Sequence, residues 1–162
     1  MAVLKQIEVH QSDGLKQTLF QMQLLEKKSI ENISFVTWVH ETFNSNCVGC
    51  TPGKIWNYIQ DNFTYQKDDP FDELITAPYL MPELKTGDCD DFSLFAKTCL
   101  DILGGYFTHY MLMGVNRNQF THIVVFCHRG QEGNKYYDPV YIDGANKNFN
   151  IIPLKYNYFK IL

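Results

Sequence analysis

The sequence predicts an α+β domain in which a helical N-terminal half packs on an antiparallel β-sheet. Three observations carry that expectation. Apolar residues recur at helical spacing through the first hundred positions. Gly104-Gly105 then breaks the pattern. Beyond it the period falls to two, through Tyr106–Val115 and Phe120–His128. No repeat, low-complexity tract or Pro/Gly/Ser-rich linker divides the 162 residues, so one domain is expected over 1–162. A hydrophobic share of 45% is too high for a disordered chain and enough to build a core at this length.

Each element has a local reason. Leu15, Leu19 and Met22 share one helical face behind a cap at Asp13, which places a helix within 3–29. A second helix is expected over 32–43, burying Phe35, Trp38 and Val39. Residues 44–50 form a polar connection. Thr51-Pro52 reads as an N-cap followed by proline at the first helical position, with Ile55, Trp56 and Ile59 behind it and an end near Asn62. "FTYQKDDP" is expected to be extended and then to turn, and "FDELITAPYLMPEL" to form a Pro-broken loop or short helix. Gly87-Asp88 opens the clearest helix. Phe92, Phe95, Ala96, Cys99, Ile102 and Leu103 line its apolar stripe, and Gly104-Gly105 ends it. Residues 106–115 and 120–128 are strands around a turn at 116–119, and a third strand is expected over 135–141 after a loop.

Composition narrows the function. Lys and Arg total 14 against 18 Asp and Glu, a formal charge of −4, with Arg117 and Arg129 the only arginines. That balance disfavours nucleic acid as a partner. No apolar run is long enough to span a bilayer. The first nine residues lack a secretory h-region, so a cytoplasmic location is expected. The five cysteines, Cys47, Cys50, Cys89, Cys99 and Cys127, then need not pair.

Cys89, His122 and Asp138 stand out by type, order and placement. Cys89 falls at a helix N-terminus, where free N–H groups and the positive dipole end favour a thiolate. His122 is held in a strand and can take the thiol proton. Asp138, on the next expected strand, can orient the imidazole. Asp143 in "YIDGA" competes for that third role, although Asp-Gly is also an ordinary turn signature. Asp88, Asp90 and Asp91 raise the thiol pKa if they lie close. Asp90 and Asp91 are expected to point away from it, toward backbone N–H groups or the sheet. Tyr65 is weighed as an oxyanion donor against a packed ring, and His109 as a cleft residue against a structural one.

The stretches "GDCDDFSLFAKTCLDILGG", "FTHIVVF" and "YYDPV" resemble, in this order, the transglutaminase-like superfamily, which shares its fold with papain-type cysteine peptidases. The upstream "IWNYIQDNFTYQKDDPFDELITAPYLMPELKTGDCDDF" is closest to versions found in bacteriophages and prophages. The resemblance places a papain/transglutaminase-like core at about 51–141, preceded by a helical extension over 1–50. It implies Cys89 as nucleophile, His122 as general base and acid, and Asp138 as the orienting carboxylate. The implied activity is hydrolysis or acyl transfer on peptide or isopeptide amides through a thioester. The implied partner is a protein or peptide substrate, no cofactor is required, and the setting is cytoplasmic or phage-associated in a bacterial host.

Two other readings are weighed against it. One is a non-catalytic binding or assembly module on the same fold. The other is a zinc or dithiol protein centred on Cys47 and Cys50, but no strand precedes that pair as in thioredoxin-like proteins, which favours incidental loop thiols. The acidic runs at 68–69 and 88–91 lack an EF-hand pattern, so capping or solvated roles are expected over Ca²⁺ binding.

Overall fold

The computed structural model describes residues 6–10, 14–69, 72–117 and 119–162. The cap expected at Asp13 lies outside them. In chain order, the elements are β1 (Gln6–His10), α1 (Gly14–Ile30), α2 (Ile33–Phe43), α3 (Thr51–Asn62), β2 (Thr64–Tyr65), β3 (Asp72–Thr76), α4 (Met81–Leu84), β4 (Thr86–Gly87), α5 (Cys89–Leu103), β5 (Phe107–Gly114), β6 (His122–His128), β7 (Gly130–Glu132), β8 (Lys135–Tyr137), β9 (Val140–Ile142) and β10 (Tyr158–Ile161). The expected α+β architecture is present.

Helix α5 is the hub. Its stripe of Phe92, Phe95, Ala96, Cys99 and Leu100 packs with α2 and α3 and with Val125, Cys127 and Ile142 of the sheet. Leu94, on another face, packs with Met22 and Leu25 of α1 and with Leu112 and Ile123. Contacts on all sides make α5 a buried helix rather than a surface amphipath. The many rings of the composition gather here: Phe95 lies 5.0 Å from Phe63 and 6.1 Å from Tyr58, between ring centroids, in edge-on and stacked arrangements respectively.

The main sheet is antiparallel in the order β10-β5-β6-β9. Ile123, Val125 and Cys127 of β6 face the helices. Val124 and Phe126 face a second apolar cluster with Met111, Met113, Tyr136, Tyr141 and Tyr156. This is the alternation read from the sequence. β2 and β4 form a short parallel pair just before α5.

Four expectations are corrected. Gln6–His10, within the stretch assigned only a helix, is a strand pairing antiparallel with β3, which forms part of the segment expected to be loop or short helix. Thr51 is the first residue of α3 rather than its cap, because a 3-10 turn at Val48–Cys50 runs directly into the helix. Cys47 and Cys50 are disulfide-bonded across that turn, with Cα atoms 5.3 Å apart, and are not free loop thiols. The third strand over 135–141 is split. β8 pairs with β7 as a hairpin while β9 pairs with β6. The break falls at Asp138-Pro139. Proline has no N–H to give a ladder, and Asp138 takes a left-handed backbone at φ 49°.

Candidate active site

Asp88 caps α5. Its side chain accepts from the N–H of Asp90 at 3.2 Å, and the Asp91 carboxylate accepts the N–H of Asp88 at 3.2 Å, a reciprocal box around the first turn. The other Asp91 oxygen accepts the N–H of Thr76 at 2.7 Å, tying β3 to the helix start. Gly87 is required here, because a Cβ would lie 2.6 Å from the Asp91 carboxylate. These contacts fix Cys89 as the first helical residue.

β6 is fastened to the same turn. Ser93 Oγ donates to the Ile123 carbonyl at 3.0 Å, and the Ile123 N–H lies near enough to the Cys89 sulfur to favour its thiolate. His122, at the start of β6, and Cys89 therefore line one cavity. The thiol pKa is raised by burial first, then by the charges of Asp88 and Asp90, against the favourable Ile123 N–H, with Asp143 adding to the rise. The helix N-terminus does not outweigh these effects, so the resting group is a thiol.

The third partner is Asp143, not Asp138. Asp143 Oδ2 lies 2.8 Å from His122 Nε2, with the two side chains 5% and 10% exposed. Asp143 Oδ1 accepts the Ala145 N–H at 3.1 Å. Asp138 has a side chain 70% exposed and lies 3.8 Å from Arg129. The register explains the exchange. β9 pairs Ile142 with Val125 and Val140 with Cys127. Continued, it sets Asp143 opposite Val124, beside His122, and Asp138 opposite Arg129 past the far end of β6. The two acids therefore lie at opposite ends of β9.

The loop after β9 is held from α3. Trp56 Nε1 donates to the Asp143 carbonyl at 3.1 Å and Gln60 Nε2 to the Gly144 carbonyl at 2.7 Å. Gly144 lets the loop press on α5, since a Cβ there would meet Phe92 Cβ at 2.7 Å. Tyr156 stacks on the His122 ring with centroids 5.4 Å apart and planes 11° apart. Nothing local in the sequence marks Tyr156, one of several aromatic and aliphatic residues in the C-terminal stretch.

Tyr65 reaches the site from β2. Its hydroxyl pKa is pushed up to about 12 by burial and, where they ionise, by Cys89, Asp88 and Asp90, so it remains a donor. His109 does not reach the cleft. It sits opposite Phe126, and its Nε2 lies 3.2 Å from His128 Nε2 in a stacked pair remote from His122.

Carboxylate oxygens of Asp88, Asp90 and Asp91 lie within 4.8 Å of one another. Asp91 points to backbone N–H groups as expected, but Asp90 does not: both its oxygens are buried without a hydrogen-bond partner among the described residues. An all-oxygen set with an orphaned carboxylate suits a hard divalent cation such as Ca²⁺. Without a cation, burial first, and then the neighbouring acids, raise the Asp90 pKa.

No protein-family model matches the sequence, and no curated protein matches it either. Among solved structures, Legionella pneumophila LapG superposes with a TM-score of 0.51 at 16% identity, covering 79% of this chain and 75% of LapG. EGTA-treated Legionella pneumophila LapG gives a TM-score of 0.52 at 16% identity, covering 79% and 73%. These likenesses do not speak to the phage-associated versions that the sequence resembles. They carry the fold: this chain shares the α+β fold of LapG.

Proposed function

We propose that this protein is a cysteine-dependent hydrolase or acyltransferase acting on peptide or isopeptide amides. The observation that carries the reading is the His122–Asp143 hydrogen bond at 2.8 Å beside a cavity that His122 shares with Cys89 at the N-terminus of α5. The likeness to LapG, a cysteine-peptidase-like enzyme, supports it.

The chemistry follows from which atoms are free. His122 Nε2 is engaged by Asp143, which leaves Nδ1 to take the thiol proton. The raised thiol pKa makes this a general-base step during attack rather than a preformed ion pair. The sulfur adds to the amide carbon. The C–N bond then breaks, the amine leaves with the proton from His122, and a thioester remains. Water, or a second amine, loses a proton to His122, attacks the thioester carbon and releases the sulfur, which recovers that proton. The Cys89 N–H at the first turn of α5 and the Tyr65 hydroxyl supply the donors for the oxyanion.

The test is turnover of a mixed synthetic peptide pool followed by mass spectrometry. Wild type is expected to cleave a subset and to form a covalent adduct at Cys89 with a peptidyl electrophile. Cys89→Ala and His122→Ala are expected to abolish both. Cleavage that survives Cys89→Ala would overturn the proposal. So would a folded wild-type protein that forms no adduct and cleaves no peptide. The second outcome would favour the binding module.

A further inference from the structure

His122 lines two cavities that differ in charge and polarity. One is the cavity shared with Cys89, about 140 Å³, walled by Leu15, Leu19 and Met22 of α1 and by Leu112, Phe120 and Ile123. Its polar lining includes Glu73 and Asp90, both acidic. The other, a groove of about 570 Å³ that runs past Tyr156, carries Lys67, Lys147 and Lys155. Among the described residues the only carboxylate lining it is Asp143, which is occupied by His122 and Ala145. None of the three lysines forms an ion pair with a described residue, and all three are exposed. In a chain of net charge −4, an unopposed cationic groove beside the reacting atoms runs against the overall balance.

We propose that the substrate is a protein segment with an apolar side chain on one side of the scissile amide and acidic residues on the other. The inference rests on the acyl-transfer reading and names the substrate class for it. The apolar side chain enters the chamber under α1. That chamber is close in size to a cavity that takes one benzene-sized group, and it accepts leucine or methionine. The acidic run lies over Lys67, Lys147 and Lys155. The opposite orientation sets substrate carboxylates against Glu73 and Asp90, so charge fixes the direction in which the segment lies as well as its composition.

The probes are fluorescein-labelled peptides with one leucine and, on one side of it, a run of glutamates, glutamines or lysines. Binding is read by anisotropy on Cys89→Ala protein, at about 0.05 M and about 0.5 M salt. Cleavage of the same peptides is read with wild type. The glutamate peptide is expected to bind at least roughly tenfold tighter than the glutamine peptide, and to lose that margin at high salt. Lys147→Glu combined with Lys155→Glu is expected to remove the preference while leaving the thermal midpoint unchanged. Replacing leucine by glycine is expected to weaken binding at either salt.

Equal binding of the three peptides overturns the inference, as does a preference that survives the charge reversal. Tighter binding of a single-stranded oligonucleotide of equal charge overturns it too. The two proposals fail separately. Acidic-peptide binding without any cleavage removes the enzyme and keeps the basic groove, whereas cleavage indifferent to peptide charge removes the groove's role and keeps the enzyme.

Discussion

Asp143→Asn separates the candidate triad from its sequence alternative. In the native site two donors converge on two oxygens: Ala145 N–H on Oδ1 and His122 on Oδ2. Asparagine offers one oxygen. If that oxygen keeps Ala145, the amide NH₂ faces His122 Nε2 and forces the ring to carry its proton on Nδ1, the atom needed to accept from Cys89. Loss of the charge-assisted hydrogen bond alone removes about 1.5–3 kcal/mol from the imidazolium state, roughly 10- to 150-fold in rate. The tautomer reversal adds to this, so kcat/KM is expected to fall at least a hundredfold. Asp138→Asn, at a solvated carboxylate 3.8 Å from Arg129, is expected to change kcat/KM by less than about twofold. The assay is initial-rate cleavage of one peptide from the pool, with circular dichroism melting to show that both variants are folded. A folded Asp143→Asn protein within threefold of wild type, or an Asp138→Asn protein equally impaired, would refute the assignment.

Other outcomes follow from the same geometry. Tyr65→Phe removes one oxyanion donor and is expected to lower kcat about a hundredfold with little change in KM; an unchanged kcat in steady-state assays would return Tyr65 to a packing role. Glu26 and Asp91 are each raised to about 7 and Asp68 to about 6, chiefly by burial. The folded state therefore holds protons that the unfolded chain gives up near pH 4. Stability from these groups is full below that point and is lost as pH rises through about 6 to 7, so the thermal midpoint is expected to fall between pH 5 and pH 8. His109, whose pKa is lowered by burial, acts in the opposite direction but is a single group. A midpoint that climbs over this range, measured by differential scanning fluorimetry, would contradict the burial argument. Added Ca²⁺ is expected to raise the midpoint at pH 8 more than at pH 5, because a carboxylate ligand must be ionised and burial raises the Asp90 pKa, and Asp90→Asn is expected to abolish the effect. No Ca²⁺ response at either pH would remove the cation from the Asp90 cluster.

Much of this fold was written in local signals. The α5 start needed only Asp88 as cap, Asp91 to close the box and the Phe92–Phe95–Cys99 stripe, all within a dozen residues. The alternation of β6 needed only its own seven residues. Those signals placed Cys89 and His122 correctly, because helix termini and strand faces are set by neighbours in sequence. The β1 strand was missed because its partner β3 lies more than sixty residues away, and a five-residue segment carries too little pattern of its own. β10 went unread for the same reason, since it forms only by adding to the edge of β5.

The choice between two acids was beyond local reading. Asp138 and Asp143 both follow a β-rich stretch, and both sit next to a residue that makes turns. What separates them is register: Pro139 splits the expected strand, and only the part beyond it pairs with β6. Two hydrogen bonds from α3, eighty-odd residues earlier, then hold the Asp143 loop against α5. The sequence by itself determined the cysteine at the start of α5, that helix, and the histidine at the start of β6. The tertiary structure decided which carboxylate meets that imidazole, because a side chain's partner depends on the distance between strands, and no spacing along one chain records it.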